Sequence, residues 1–112
     1  MNGVGTQFVS QNNFFVEVTG CPAFTNGLFY YGPNAIQVPF GNGFRCVGGA
    51  VRRLHAQSTD FIGDAMHAID VNDAMQPIHA GETWRFQFWY RNPAAGGAGF
   101  NLSDGLAVQF CP

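Results

Sequence analysis

Thr83-Trp84-Arg85-Phe86-Gln87-Phe88-Trp89-Tyr90-Arg91 is the stretch that decides the fold of this 112-residue chain. Trp84, Phe86, Phe88 and Tyr90 alternate with Thr83, Arg85, Gln87 and Trp89. A period of two sends successive side chains to opposite faces of a strand. One of those faces is made entirely of rings. Four aromatic side chains of about 150–250 Å² each, at about 25 cal/mol per Å², offer roughly 15–25 kcal/mol of gross burial. That figure is an upper bound, because an unfolded chain already hides part of its apolar surface. A strand with so much to bury has to face a second layer.

Working outward, Asp104-Gly105 supplies a turn and residues 106–111 read as a final strand. Towards the N-terminus, residues 14–19 (FFVEVT) alternate, with Phe14, Val16 and Val18 opposite Phe15, Glu17 and Thr19. Gly20-Cys21-Pro22 ends that run, since proline cannot donate to a ladder. Further strands are expected at residues 28–31, 36–39, 44–47 and 50–55, set off by Asn26-Gly27, Gly32-Pro33-Asn34, Gly41-Asn42-Gly43 and Gly48-Gly49. Residues 56–63 and 72–80 read as loops. Residues 65–71 (AMHAIDV) alternate modestly. Ala and Met also favour helix, but the run is too short to nucleate one. The expected fold is all-β: one antiparallel β-sandwich domain over residues 1–112, with seven to nine short strands. A jelly roll and an immunoglobulin-like sandwich fit this inventory equally.

Charge is scarce. Charged residues make up 11% of the chain, against roughly 25% in ordinary globular domains, and the cations are five arginines with no lysine. A net charge of −2 argues against nucleic acid, whose phosphates call for clustered cations. Arg52 and Arg53 are adjacent, so on a strand they point to opposite faces and make no patch. No apolar run approaches the roughly 20 residues of a membrane-spanning helix. The start, MNGVGTQFVSQNN, lacks the basic and apolar segments of a signal peptide. For an exported protein, Met1 would then mark an excised piece or a replaced leader; a cytosolic protein with its own start is the other reading.

Cys21, Cys46 and Cys111 form no C-x-x-C pair and have no histidine at ligand spacing, which points away from zinc. A bridge between Cys46 and Cys111 is expected, because it would pin the last strand. Such a loop is worth about 4 kcal/mol in the chain-entropy model. Three reduced, buried thiols are the alternative. Cys21 is left as a free thiol or an intermolecular link.

Two motifs, GLFYYGPNAIQVPFGNGFRCVGGAVRRL and GETWRFQFWYRNPAAGGAGFNLSDGLAVQFCP, resemble a C-terminal domain of large secreted proteins of environmental bacteria. The resemblance covers residues 13–112. It implies an exported protein placed outside the cell or on its surface, and it implies no catalytic activity. The first motif carries Cys46 and the second ends at Cys111, in keeping with the expected bridge. Cys21 falls where that family tends to have a small residue.

Catalytic, metal-binding and cofactor-binding constellations are not expected. Asp60 with Asp64, or Asp70 with Asp73, could approach as paired carboxylates, but solvated turn residues explain them as well. Asp70-Val71-Asn72-Asp73 is a weak calcium candidate. His55, His67 and His79 are widely spaced. Ser103 lacks the G-x-S-x-G frame of a hydrolase nucleophile. Aromatics give the best lead. Trp89 shares a face with Arg85 and Gln87, and if that face is open they form a flat sugar-stacking platform. Arg91 would edge it, and Tyr30 or Tyr31 would extend it. Covered on both faces, the sheet would instead pack Trp89 against a loop or a neighbouring subunit. The leading expectation is a non-catalytic structural or adhesive module whose partner is a second copy of itself or the cell envelope. The alternative is a carbohydrate-binding module for extracellular polysaccharide.

Overall fold

The computed structural model describes residues 1–112. Eleven strand segments succeed one another: β1 (Asn2–Gly5), β2 (Phe14–Val18), β3 (Asn26–Gly32), β4 (Asn34–Phe40), β5 (Gly43–Gly48), β6 (Arg52–Arg53), β7 (Gln57–Ser58), β8 (Ala65–Ile69), β9 (Thr83–Arg91), β10 (Phe100–Leu102) and β11 (Leu106–Gln109). The one helical feature is a 3-10 turn at Pro93–Ala95. The fold is all-β with antiparallel sheets, as the alternation in Thr83–Arg91 predicts.

β9 is the spine. It pairs with β3 along one edge, from Gly27↔Tyr90 to Gly32↔Arg85. Along the other edge it takes β11 against Thr83–Phe86 and β10 against Trp89–Arg91. β6 and β7 are two short pieces on the outer edge of β3. A smaller sheet runs β1-β2-β8. Between the two sheets lies the main core: Phe14, Val16 and Val18 from β2, Ala65 and Ile69 from β8, Phe29 and Tyr31 from β3, and Trp84, Phe86 and Phe88 from β9. Phe86 and Phe88 are fully buried. Their rings meet neighbours at tilted or edge-on angles, such as Phe29–Phe88 at 4.6 Å and Phe14–Phe110 at 5.4 Å between centroids. Offset and edge geometries of this kind suit the ring quadrupole.

β4 and β5 pair only with each other, as a hairpin whose register shifts between Ala35 and Val38. Gly41 at its turn has φ of +59°, a conformation that costs glycine nothing. This hairpin lies on the other face of the β9–β3 sheet and makes a second, smaller core of Tyr30, Val47 and Leu102. The sheet is therefore covered on both faces.

Several boundaries differ from expectation. Asn26-Gly27 is not a turn but the start of β3, paired to β7 and β9. A side chain at Gly27 would collide with the carbonyl of Trp89 and the ring of Phe88, so the position serves close strand approach. The strand expected at residues 50–55 shrinks to Arg52–Arg53, and β7 appears in the presumed loop at residues 56–63. β1 and β10 lie in stretches too glycine-rich and polar to read as strands.

The expected Cys46–Cys111 bridge is overturned: all three cysteines are free thiols. The Cβ of Cys46 lies 3.0 Å from where Gly105 would carry a side chain. From Gly105 the chain runs through β11 to Cys111, six residues on. At about 3.3 Å per extended residue that is roughly 20 Å, whereas bridged cysteines need Cα atoms about 5.5–6 Å apart. Cys111 instead ladders with Phe8 and exchanges backbone hydrogen bonds with Gln7 and Val9. Hydrogen bonding, with no covalent tie, secures the C-terminal end.

Candidate binding pocket on the hairpin-covered face

The face of β9 that carries Arg85, Gln87 and Trp89 meets the hairpin along part of its length only. Gln87 sits where contact is complete and is fully buried. Its Nε2 donates to the carbonyls of Phe44 (2.9 Å) and Ser103 (2.6 Å), and its Oε1 accepts from the Cys46 amide (2.9 Å) and the Tyr30 phenol. A buried amide has to be satisfied in this way, since an unpartnered polar group is costly away from water. The consequence is positional: Gln87 clamps β5 and the loop after β10 onto the sheet.

Beyond Gln87 the layers separate and leave a pocket of about 260 Å³. The sheet supplies Leu28, Tyr30 and Trp89, and β10 supplies Leu102. The hairpin contributes Phe40 and Arg45, while Val51 and Arg53 close the side formed by β6. Trp89 is partly buried; it pairs in register with Leu28 and packs against the small core of Tyr30, Val47 and Leu102. Its ring leans on Phe100 at 5.6 Å, and Phe100 in turn meets Phe40 edge-on at 5.4 Å. The Arg91 guanidinium stands 5.8 Å from the centroid of the Trp89 ring, within cation–π range.

The lining holds no carboxylate, histidine, cysteine or serine. Its ionisable groups are Tyr30, Arg45 and Arg53. Burial pushes the Tyr30 phenol far above its ordinary value, opposed in part by the nearby Arg45. The arrangement is suited to holding a ligand.

The candidate residues read from the sequence separate here. Trp89 and Tyr30 line the pocket, and Arg91 stands outside its lining, over the Trp89 ring. Gln87 is behind it, as a buried clamp and not a surface contact. Arg85 turns to the carbonyl of Pro33 at 2.7 Å and does not line it. Tyr31 points the other way, into the main core, with its phenol donating to the Gln76 carbonyl at 2.7 Å. Of the two expectations, the open platform and the covered face, the covered face holds, with a walled pocket beside Trp89. Leu28, Phe40, Arg45, Val51, Arg53 and Leu102 had no local signal, because a non-local hairpin brings them in. No family model, curated protein or solved structure matches the chain.

Asp70 and Asp73, the calcium candidate, are occupied otherwise. Both Asp73 oxygens lie 3.3 Å from the Arg52 guanidinium. Slight burial opposes ionisation of Asp73, but Arg52 and the amides of Met75 and Gln76 outweigh it and hold the carboxyl below its usual range. Asp70 Oδ1 accepts from the Asn72 amide at 2.9 Å and the Asn12 side chain at 3.2 Å. Asp60 likewise closes its own turn, accepting from the amides of Ile62 and Asp64. No group of three or more His, Cys, Asp or Glu side chains gathers at a metal-holding distance.

Proposed function

We propose that this chain is a non-catalytic carbohydrate-binding module of an exported bacterial protein, and that the pocket beside Trp89 is its ligand site. The partly buried Trp89 ring, set in an apolar wall together with Tyr30, Arg45 and Arg53, carries this reading. Small-ligand sites have this make-up: mostly apolar lining with a few placed polar groups. The volume falls just under the roughly 300–1,000 Å³ of pockets for drug-sized molecules, so one sugar ring is the fitting unit. Affinity electrophoresis through gels containing different polysaccharides tests the idea. Retardation in at least one gel, lost on Trp89→Ala with the circular dichroism spectrum preserved, is the expected result. Unchanged mobility in every gel overturns it.

A second reading, adhesion through self-association, is favoured by one end of the molecule. The Phe24 amide donates to the Asp60 carbonyl at 3.2 Å, and the Cys21 amide to that of Gly63 at 3.1 Å. Those bonds hold two loops side by side. Their tips carry Phe24 and Phe61, each 73% exposed, and Ile62, 59% exposed. Clustered apolar surface of this kind marks interaction sites. Light scattering behind size-exclusion chromatography decides it: a dimer or larger species that Phe61→Ser returns to monomer supports the reading, and a monomer at every concentration removes it.

A further inference from the structure

The distribution of positive charge around Trp89 says more than the pocket's shape. The chain has only five cationic side chains against seven carboxylates. Arg52 is spoken for by Asp73, and Arg85 by the Pro33 carbonyl. The remaining three, Arg45, Arg53 and Arg91, have no carboxylate partner; Arg45 and Arg53 line the pocket that Trp89 also lines, and Arg91 stands over the Trp89 ring. They come from three separate elements: β5, β6 and the end of β9.

The local donors are also free. Arg45 spends its Nε on the Val47 carbonyl at 2.9 Å. That bond fixes the plane of the guanidinium and leaves its two terminal nitrogens for a ligand. Arg53 is exposed and makes no side-chain hydrogen bond within the protein. A guanidinium presents a planar fork that matches the two oxygens of a carboxylate or the oxygens of a sulfate. In an acidic protein, an acid-free pocket with two unpaired guanidinium groups on its wall, and a third against the ring beside them, sets up a local positive potential opposite in sign to the whole molecule.

We infer that the ligand of this pocket is an anionic saccharide: a sugar ring that lies against Trp89 and carries a carboxylate or sulfate reaching Arg45 and Arg53. Arg91 supports the site from beside the indole and does not take the anion itself. This inference rests on the carbohydrate-binding reading and narrows it to a charge class. It also accounts for a module poor in cations placing most of its unpaired ones in one spot.

Isothermal titration with four ligands separates the possibilities: an oligogalacturonate, its methyl ester, a sulfated galactan oligosaccharide and inorganic sulfate. The inference expects the free acid or the sulfated oligosaccharide to bind at least about tenfold more tightly than the methyl ester, as loss of a charge-assisted contact implies. Binding should weaken as salt is raised. Which of the two anionic sugars is preferred identifies the source of the charge. Arg53→Ala, an exposed substitution that leaves the core alone, should erase most of the preference while the protein stays folded. Equal binding of acid and ester, with Trp89→Ala abolishing both, keeps the carbohydrate reading and overturns the charge class. Inorganic sulfate binding as tightly as either sugar overturns the role of the ring. Binding of none of the four removes this inference, and the polysaccharide gels then decide separately on the broader reading.

Discussion

Tyr30 and Gln87 face each other directly across the β3–β9 ladder, and the Tyr30 phenol donates to Gln87 Oε1. This pair is the seam between the sheet and the hairpin. Gln87 makes four hydrogen bonds from a fully buried position, so Gln87→Leu would leave two carbonyls, an amide and a phenol without it. Each stranded buried group costs about 1–3 kcal/mol, with some recovery by relaxation. The expected loss is about 3 kcal/mol or more in urea unfolding. Tyr30→Phe removes one bond and should cost about 1 kcal/mol. In the double variant the two losses should not add, because both remove the same contact. A Gln87→Leu protein within about 1 kcal/mol of the parent would show that the clamp does not hold the layers together.

Phe86 anchors the opposite face. It is fully buried and packs against Phe14 (5.9 Å), Tyr31 (5.4 Å) and Phe110 (6.4 Å between centroids). Phe86→Ala should destabilise by about 3–5 kcal/mol. Phe86→Leu, closer in volume, should cost less. Phe44→Ala, on a ring that is 51% exposed on the hairpin, should cost under about 1 kcal/mol. Urea midpoints with an unchanged slope provide the comparison. A Phe44 variant as unstable as the Phe86 variant would contradict this ranking of the two layers.

What the sequence made legible follows from the same two residues. Phe86 could be placed because its burial is written locally: rings at every second position have one economical arrangement, and β9 has the boundaries that alternation gives it. Gln87 could not. A polar residue in an alternating strand reads as outward-facing, and only the β4–β5 hairpin, from 40 residues earlier in the chain, turns that outward face into an interior. β3 held a hint, since Leu28, Phe29, Tyr30 and Tyr31 form an unbroken apolar run, the mark of a strand buried on both sides. Trp89 was found for its chemistry, and of the two surroundings open to it, a bare platform or a covered face, the hairpin makes the second. Arg45 and Arg53 carry no local signal, because their convergence is made by packing and not by spacing.

The thiols give a direct check on the topology. With Cys46 beside Gly105 and Cys111 at the far end of β11, three free thiols are expected per chain when the protein is unfolded without reductant and alkylated. The melting temperature should not change on adding reductant. In the folded protein Cys21 should react slowly even at mildly alkaline pH, since burial raises its thiol pKa and the thiolate is the reactive form. A mass two hydrogens lighter, or a melting point several degrees lower in reductant, would mean that Cys46 and Cys111 meet and that β11 runs otherwise.

Alkaline pH should probe both faces of the central sheet together. Burial, helped by the Asp73 carboxylate and opposed by Arg52, raises the Tyr31 phenol to about 12. Burial raises Tyr30 further still and lifts Tyr90 as well. These are all the tyrosines in the chain, so phenolate absorbance should lag behind that of a free phenol, which titrates near pH 10, with Tyr30 and Tyr31 titrating last. The sign of the linked stability change is fixed. Below the unfolded value of about 10, folded and unfolded chains both keep these protons, and the stability from the buried phenols is fully present. As pH rises from about 10 through 12, the unfolded chain loses protons that the folded one retains, so unfolding becomes progressively easier. Urea midpoints should fall across that window and be level just below it, with the phenolate signal rising together with loss of sheet. Tyr31→Phe should shallow the fall, because it deletes one of the linked protons. Tyr30 or Tyr31 ionising near pH 10 while the sheet stays intact would mean that one face of the β9–β3 sheet is open to water, and the three-layer arrangement around Gln87 could not stand.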